Sequence, residues 1–505
     1  MGTRNDIADG LTAEQLVAAG TPHRRVYIEA APGSGKTTVA AQRFGIQRFQ
    51  GTDQRAVLAV SFTRSATAEL RDRVLRQWGP DALAWPHRIV TLDTVVCDLL
   101  GYLLDTGHVS WPSGHHSLTV IDSWQVQLPT KWSRIEPIVA LAGNRVVVET
   151  LRRSTQANRP SRQDVATALA EGFCTHQDAR TLLEAALALE GACDAILARL
   201  ADTAGALIVD EIFDANAFDL SLVRLAVDAG LDVTVVGDPW QALYGFRGAR
   251  PDLVPELVRD AQFVQRPLRR SFRWRTDGQE RLADELRAGH GVILRQGQAE
   301  DMDVVLSLQW KTLWSSGPHV LPLAYGSAKG QVHEAACTLL LSEVTQQKFG
   351  VNATFHKEAL IALDIDAEAL ERLRPGLQQL ITDLAGSAGI AEIWSALNDV
   401  VGTETRRRLP KKRNHHHTAR LDMLRARLHA AGNRLIPGLT AHQAKGREWN
   451  HVGVLLTNSE REALAAGLVQ DREDHRALYV ALTRAKQATC GVADGGSISV
   501  AIEAN

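Results

Sequence analysis

The 505 residues hold five cysteines, Cys97, Cys174, Cys193, Cys337 and Cys490, scattered without a CxxC pair. That argues against a zinc knuckle, an iron–sulfur cluster or a disulfide framework, and fits a reducing compartment. No apolar run reaches the ~18 residues of a membrane span, and the opening MGTRNDIADG has no apolar signal core. Asp6 stands where a myristoylation signal wants Ser or Thr. Net charge is nearly absent, at -2. A protein that only coats nucleic acid is usually basic overall, so any nucleic-acid surface here is expected to be a local groove. No repeat at a solenoid period occurs. These absences predict a soluble, cytoplasmic protein with no membrane partner.

What is present is apolar matter: 45% of the residues are hydrophobic, too many for a largely disordered chain. At ~150 residues per domain the length suggests three or four compact units. RRVYIEA (24–30), RAVLAVSF (55–62), GALIVDE (205–211) and DVTVVGD (232–238) are β-branched runs ending in polar residues, and HVGVLL (451–456) and TCGVAD (489–494) repeat that character. Such runs fit buried parallel strands, whose carboxyl ends carry ligand sites. Residues 103–202, Pro-containing loops and then a helical stretch, and residues 346–431, helix-like, break the pattern. In the first, Leu182, Ala186, Leu189, Cys193, Ile196 and Leu200 fall on one face at helical spacing. The predicted fold class is α/β, with two cores, each interrupted by a mostly helical insertion.

The segment AAPGSGKTT (30–38) fits a phosphate-binding loop, with Ala30 in the place of the first glycine. Gly33 and Gly35, flanking Ser34, let backbone N–H groups close around phosphate oxygens. Lys36 supplies a point charge, Thr37 a hydroxyl for Mg²⁺, and Thr38 continues the helix whose positive end faces the anion. ALIVDE aims Asp210 and Glu211 from a strand end. There Asp210 can hold Mg²⁺ and Glu211 can polarise an attacking water. The implied cofactors are ATP and Mg²⁺.

From these two motifs onward, the order of segments resembles the superfamily-one DNA helicases of the UvrD/Rep/PcrA type. LTAEQ (11–15) is similar to the family's adenine-reading motif, which implies that role for Gln15. SFTRSATAELRDR (61–73) and VVGDPWQALYGFRGA (235–249) resemble motifs Ia and III. They imply a γ-phosphate sensor in Gln241 and single-stranded DNA contacts from Phe62, Thr63, Tyr244, Phe246 and Arg247. LRRSFR (268–273) resembles motif IV, with Phe272 stacking on the base of ATP and Arg273 reaching the γ-phosphate. LTAHQAKGREW (439–449) resembles motif V, which implies nucleotide contacts from Gly446 and Glu448 and a DNA contact from His442. ALYVALTRAK (477–486) resembles motif VI, with Arg484 a second arginine finger.

The resemblance implies two RecA-like motor domains: the first from 1–102 and 203–275, the second from 276–345 and 432–505. The insertions 103–202 and 346–431 correspond to subdomains 1B and a reduced 2B. It further implies an ATP-dependent single-stranded DNA translocase or helicase, hydrolysing ATP between those domains and moving 3′-to-5′. The short second insertion is similar to that of the helicase subunit of the Gabija antiphage system, which would work with a nuclease partner. The same residues would serve a DNA-gated ATPase switch that does not travel; a DNA-binding scaffold without turnover would not need the full set. Two departures stand out. Phe213 occupies the usual glutamine position in DEIFD (210–214), and TLDTV (91–95) puts Asp93 beside an expected phosphate path. The basic run 406–413, flanked by His415, His416 and His417, reads as either a solvated loop or a surface for duplex or partner.

Overall fold

A computed structural model describes residues 10–50, 55–326, 332–405, 407, 415–429 and 434–492. The chain divides into two compact units, Met1–Phe272 and Arg273–Asn505.

In the first unit, β1 (Arg25–Glu29), β2 (Ala56–Ser61) and β3 (Arg88–Thr91) come before the insertion. The insertion contributes β4 (Thr119–Ile121), β5 (Lys131–Ala142), β6 (Arg145–Arg159) and β7 (Phe173–Thr175). β8 (Ala204–Val209), β9 (Asp232–Gly237) and β10 (Val264–Gln265) follow it. Six of these strands form one parallel sheet in the order β10-β1-β9-β8-β2-β3. Every residue of β2 is buried, as a strand covered on both faces requires. One face packs Ile28, Val57 and Ile208 against Val39, Phe44 and Leu70. The other packs Tyr27, Val60 and Val235 into a core that runs on into the insertion through Leu100, Val139, Leu182 and Ile196.

Residues 103–202 carry the expected helices, but not as one stretch. His176–Ala186 and Ala192–Thr203 are separate, and the second starts from Gly191 at φ 73°, a left-handed conformation that glycine tolerates. Leu182, Ala186, Ile196 and Leu200 still reach one core, with Leu189 packed against it. The insertion also holds what the helical reading does not contain: β5 and β6 pair antiparallel from Ala142↔Arg145 outward to Lys131↔Arg159 as a long hairpin.

The second unit repeats the parallel design with β11 (Gln296–Gly297), β12 (Val304–Ser307), β13 (Val320–Pro322), β14 (Ile436–Thr440), β15 (Trp449–Leu455) and β16 (Ala485–Val492). Their order is β11-β16-β15-β12-β14-β13. Between β13 and β14 the chain is helical, and Leu340, Leu377, Trp394, Leu421 and Leu424 of successive helices share one core. Arg427, on the last of these helices, donates to the carbonyls of Val320 and Trp314 and lies 4.7 Å over the Trp314 ring. Its burial pushes the guanidinium down to about 10. Of the basic run 406–413 only Arg407, exposed, is among the described residues; Arg406 and 408–413 lie outside them. Helix His415–His429 begins with the three histidines. Among the described residues no helix is long and apolar enough to cross a membrane.

Candidate nucleotide and nucleic-acid site

A parallel sheet puts the carboxyl ends of its strands on one edge. The segments after β1, β9, β8 and β2 therefore emerge side by side, and they are the segments singled out from the sequence. After β1 the chain turns at Gly33 (φ 74°) and Gly35 (φ 82°) and enters the helix Lys36–Gln50. A Cβ on Gly35 would lie 2.6 Å from Gln15 Nε2 and displace that amide, and the positive φ itself favours glycine. Ser34 is buried, and its Oγ has no hydrogen-bond partner among the described residues.

Gln15 has both ends of its amide engaged: Nε2 donates to Ser34 O at 2.9 Å, and Oε1 accepts from Thr12 N at 3.0 Å in a capping box. It braces the loop. The segment before Arg273 is laid along the same loop. Leu268 O accepts from Ala31 N (3.0 Å), Ser271 Oγ donates to Pro32 O (2.8 Å) and Phe272 N donates to Gly33 O (2.9 Å). The strap leaves the Phe272 ring 41% exposed with the Arg270 guanidinium 5.5 Å above it, a face open to stacking.

After β8, Asp210 is still bonded to the sheet through its N–H to Val60 O (2.9 Å). Glu211 sits at φ 59° and ψ 43°, a left-handed conformation that costs a non-glycine residue ~1–3 kcal/mol and is tolerated where it aims a side chain. Here it brings Glu211 Oε1 to 2.8 Å from Lys36 Nζ. Asp210 is buried. That burial and then the charge of Glu211 push its carboxyl up to about 7, against the pull of Lys36. After β9, Gln241 Nε2 donates to Asp238 Oδ2 at 2.7 Å, both side chains buried. Arg73, from the helix after β2, donates to Thr38 Oγ1 at 2.6 Å. The sequence reading missed Arg73 and Asp238. Their signals were an i,i+4 pair with Glu69 and an acidic residue at a strand end.

Among the described residues no cluster of three or more His, Cys, Asp and Glu could hold a metal. The residues present nevertheless fit Mg²⁺, which is usually held by one or two carboxylates and completes its shell with water and substrate phosphates. Asp210 supplies the carboxylate. The Thr37 hydroxyl, half-buried in the first turn of the helix Lys36–Gln50, would supply the second ligand.

Three residues after Gln241, Tyr244 and Phe246 lie 6.0 Å apart, with the Arg247 guanidinium 5.1 Å from one ring and 5.5 Å from the other. Phe246 is 66% exposed. Phe62 is half-buried against the core, and Thr63 Oγ1 accepts from Ala66 N, capping the next helix. Asp93 has a partner within the protein. Its carboxylate accepts from Arg180 Nε at 2.5 Å, and Arg180 also pairs with buried Asp219. Asp93 thus helps fasten the insertion to the sheet domain. Phe213 is core, edge-on to Tyr27 at 6.3 Å.

In the second unit, Glu448 follows Gly446 (φ 82°) and binds both Arg273 Nε (3.1 Å) and Lys486 Nζ (2.7 Å). Burial raises the Glu448 carboxyl, but the hydrogen bonds and charges of Lys486 and Arg273 outweigh it and hold it below the usual range. Arg273 Nη1 also donates to Thr483 O (3.0 Å), next to Arg484. Arg484 is fully buried, its Nε donating to Val480 O at 2.9 Å. His442, half-buried, is on the short helix after β14.

Residues 11–262 match the UvrD/REP helicase N-terminal domain and 417–489 the UvrD-like helicase C-terminal domain. The chain is 25% identical over 275 residues to a probable DNA helicase of Mycoplasma pneumoniae, covering 50% of this chain and 51% of that one. It is 28% identical over 287 residues to the ATP-dependent DNA helicase UvrD1 of Mycobacterium leprae, covering 50% and 36%. The matches thus span about half of the first relative's length and about a third of the second's.

Proposed function

The chain belongs to the UvrD/REP helicases, and from that membership we propose that it hydrolyses ATP to move along single-stranded DNA. The observation that carries the proposal is the meeting of two kinds of surface on one sheet edge. Lys36, Asp210, Glu211 and Gln241 handle phosphate there, and Tyr244, Phe246 and Arg247 offer stacked rings with a cation three to six residues after Gln241. A chain segment that both senses phosphate and grips bases can turn a chemical step into a change of grip.

In this reading the amides around Gly33–Gly35 and the Lys36 ammonium hold the terminal phosphates. Glu211 orients a water and takes its proton as the water oxygen bonds to the γ-phosphorus and the β–γ bridging bond breaks. Lys36 and Glu211 must part for this, since each occupies the other's charge in the present arrangement. Mg²⁺, when bound by Thr37 and Asp210, supplies further positive charge against the phosphate oxygens. By the resemblance, Arg273 and Arg484 are arginine fingers, residues whose positive charge offsets the charge developing on a γ-phosphate. Phe272 stacks on the base.

The finer features are inferred from the resemblance: 3′-to-5′ travel, and work beside a nuclease in antiphage defence, supported by the short helical insertion of the second unit. The test is ATP turnover with and without oligo-dT. Stimulation is expected, with Lys36→Ala abolishing turnover and Glu211→Gln retaining nucleotide binding while stopping hydrolysis. Wild-type turnover in either variant would remove the site assignment. Displacement of a block from one end of the oligonucleotide but not the other reads the direction.

A further inference from the structure

The β5–β6 hairpin leaves the core as it runs away from its turn. Val139, Val146 and Val148 near the turn are buried, whereas Thr150–Gln156 are all exposed. Pairing is interrupted there. Ser133 faces Ala157 but Ile135 faces Arg152, so Arg153–Gln156 bulge opposite Arg134 alone. A bulge of this kind twists a ribbon and re-aims its side chains. Around it stand Trp132, 63% exposed, and Ile135, 56% exposed. Glu136 takes up two of the nearby cations, Arg153 and Arg159. Lys131, Arg134 and Arg152 are exposed and have no ion pair or hydrogen-bonded side-chain partner among the described residues. Glu149, three residues from Arg152 toward the turn, is the remaining acid of this ribbon.

An exposed indole is costly to leave in water, and Lys131, Arg134 and Arg152 put exposed positive charge on the same end of the hairpin. One ligand class offsets both: a single strand of DNA, whose unpaired bases stack on an indole and whose phosphates pair with the cations. Duplex offers the phosphates but hides its base faces. We propose that the bulged end of this hairpin is a second single-strand binding surface, with Trp132 stacking a base and Lys131, Arg134 and Arg152 holding phosphates. It is separate from the Tyr244–Phe246–Arg247 cluster. The assignment rests on the reading of the chain as a DNA-dependent motor.

The experiment is anisotropy of labelled oligo-dT, blunt duplex and polyglutamate with the full chain, over a salt series. The wild type is compared with K131E/R134E/R152E, with Trp132→Ala, and with Tyr244→Ala/Phe246→Ala. All hairpin changes are at exposed side chains, and equal melting temperatures check folding. The charge variant is expected to lower the slope of log affinity against log salt by about 2, at ~0.7 per phosphate contact. Trp132→Ala is expected to weaken oligo-dT roughly tenfold, within the range for one stacked base, and duplex much less. Hairpin variants that bind oligo-dT like the wild type, while Tyr244→Ala/Phe246→Ala does not, would overturn the hairpin assignment and leave the motor reading standing. A wild type that binds no DNA would overturn both. Loss confined to polyglutamate would assign the patch to an acidic protein and overturn the proposal.

Discussion

Phe213 shows how one side chain can change what a motif does. It is 4% exposed and edge-on to Tyr27, and a Cβ on Gly237 would lie 2.8 Å from its ring, so a glycine at the end of β9 makes its room. Restoring the family's polar residue should fail. Phe213→Gln would bury an amide among apolar neighbours and leave a void, costing ~2–4 kcal/mol in a urea unfolding measurement. Phe213→Leu should cost less; equal stability of wild type and Phe213→Gln would mean the site is looser than its packing indicates. The residues legible in the sequence were those whose spacing is fixed by one turn: Gly33 to Lys36, Asp210 with Glu211, and Tyr244 to Arg247. Gln15 was found, but its amide contact with Ser34 depends on a loop 19 residues away. The pairing of Asp93 with Arg180 was likewise out of reach of the sequence, its members lying 87 positions apart.

At the scale of elements, Arg180 joins three helices: its own, that of Asp93 and that of Asp219. Its burial lowers its proton affinity, but the charges and hydrogen bonds of Asp219 and Asp93 more than compensate, so it stays charged. Arg180→Met should strand the buried Asp219 carboxylate and destabilise the first unit by roughly 3 kcal/mol or more, as broken buried pairs do. Adding Asp219→Asn should recover part of that loss in a double-mutant cycle. Additive losses would show that the pair is not coupled. The parallel strands were legible because runs such as AVLAVS are apolar on both faces. The hairpin was not read, although Gly143-Asn144 between IVALA and RVVVE is a hairpin-turn pair between β-branched runs. The helical pattern downstream drew the whole insertion into one class.

For the whole molecule, acid should act on both units through buried histidines. His87 Nδ1 accepts from Val57 N (3.1 Å) in the first, and His475 Nδ1 accepts from Val469 N (2.8 Å) in the second. Burial, then Arg48, lowers His87; burial, then Arg472, lowers His475. A histidine lowered in the folded state binds its proton more readily unfolded. Their contribution is therefore full above ~6.5, the unfolded value, and lost as pH falls through the folded values. Between pH 7.5 and 5.5 these histidines pull the urea midpoint down while Asp210, raised to about 7, pulls it up, so the check is differential: His87→Gln should lose less midpoint on acidification than the wild type, and an equal change in both would contradict this. Arg273→Ala is expected to lower kcat ~10³-fold or more with little change in nucleotide affinity, because such arginines act on the transition state. Arg484 is too buried for alanine, so Arg484→Lys, expected to lower kcat, is the cleaner variant; unchanged kcat in both would place neither arginine in the chemistry. The bulged hairpin has one more consequence, for the chain's survival. Arg152 and Arg153 lie consecutively on an exposed stretch whose pairing breaks off after Arg152, and a protease that cuts after arginine needs just such a loosened, reachable backbone. Trypsin should nick the folded protein there before anywhere in either sheet, and the two pieces should stay together, because β1–β3 and β8–β10 lie on opposite sides of the cut in sequence but side by side in one sheet.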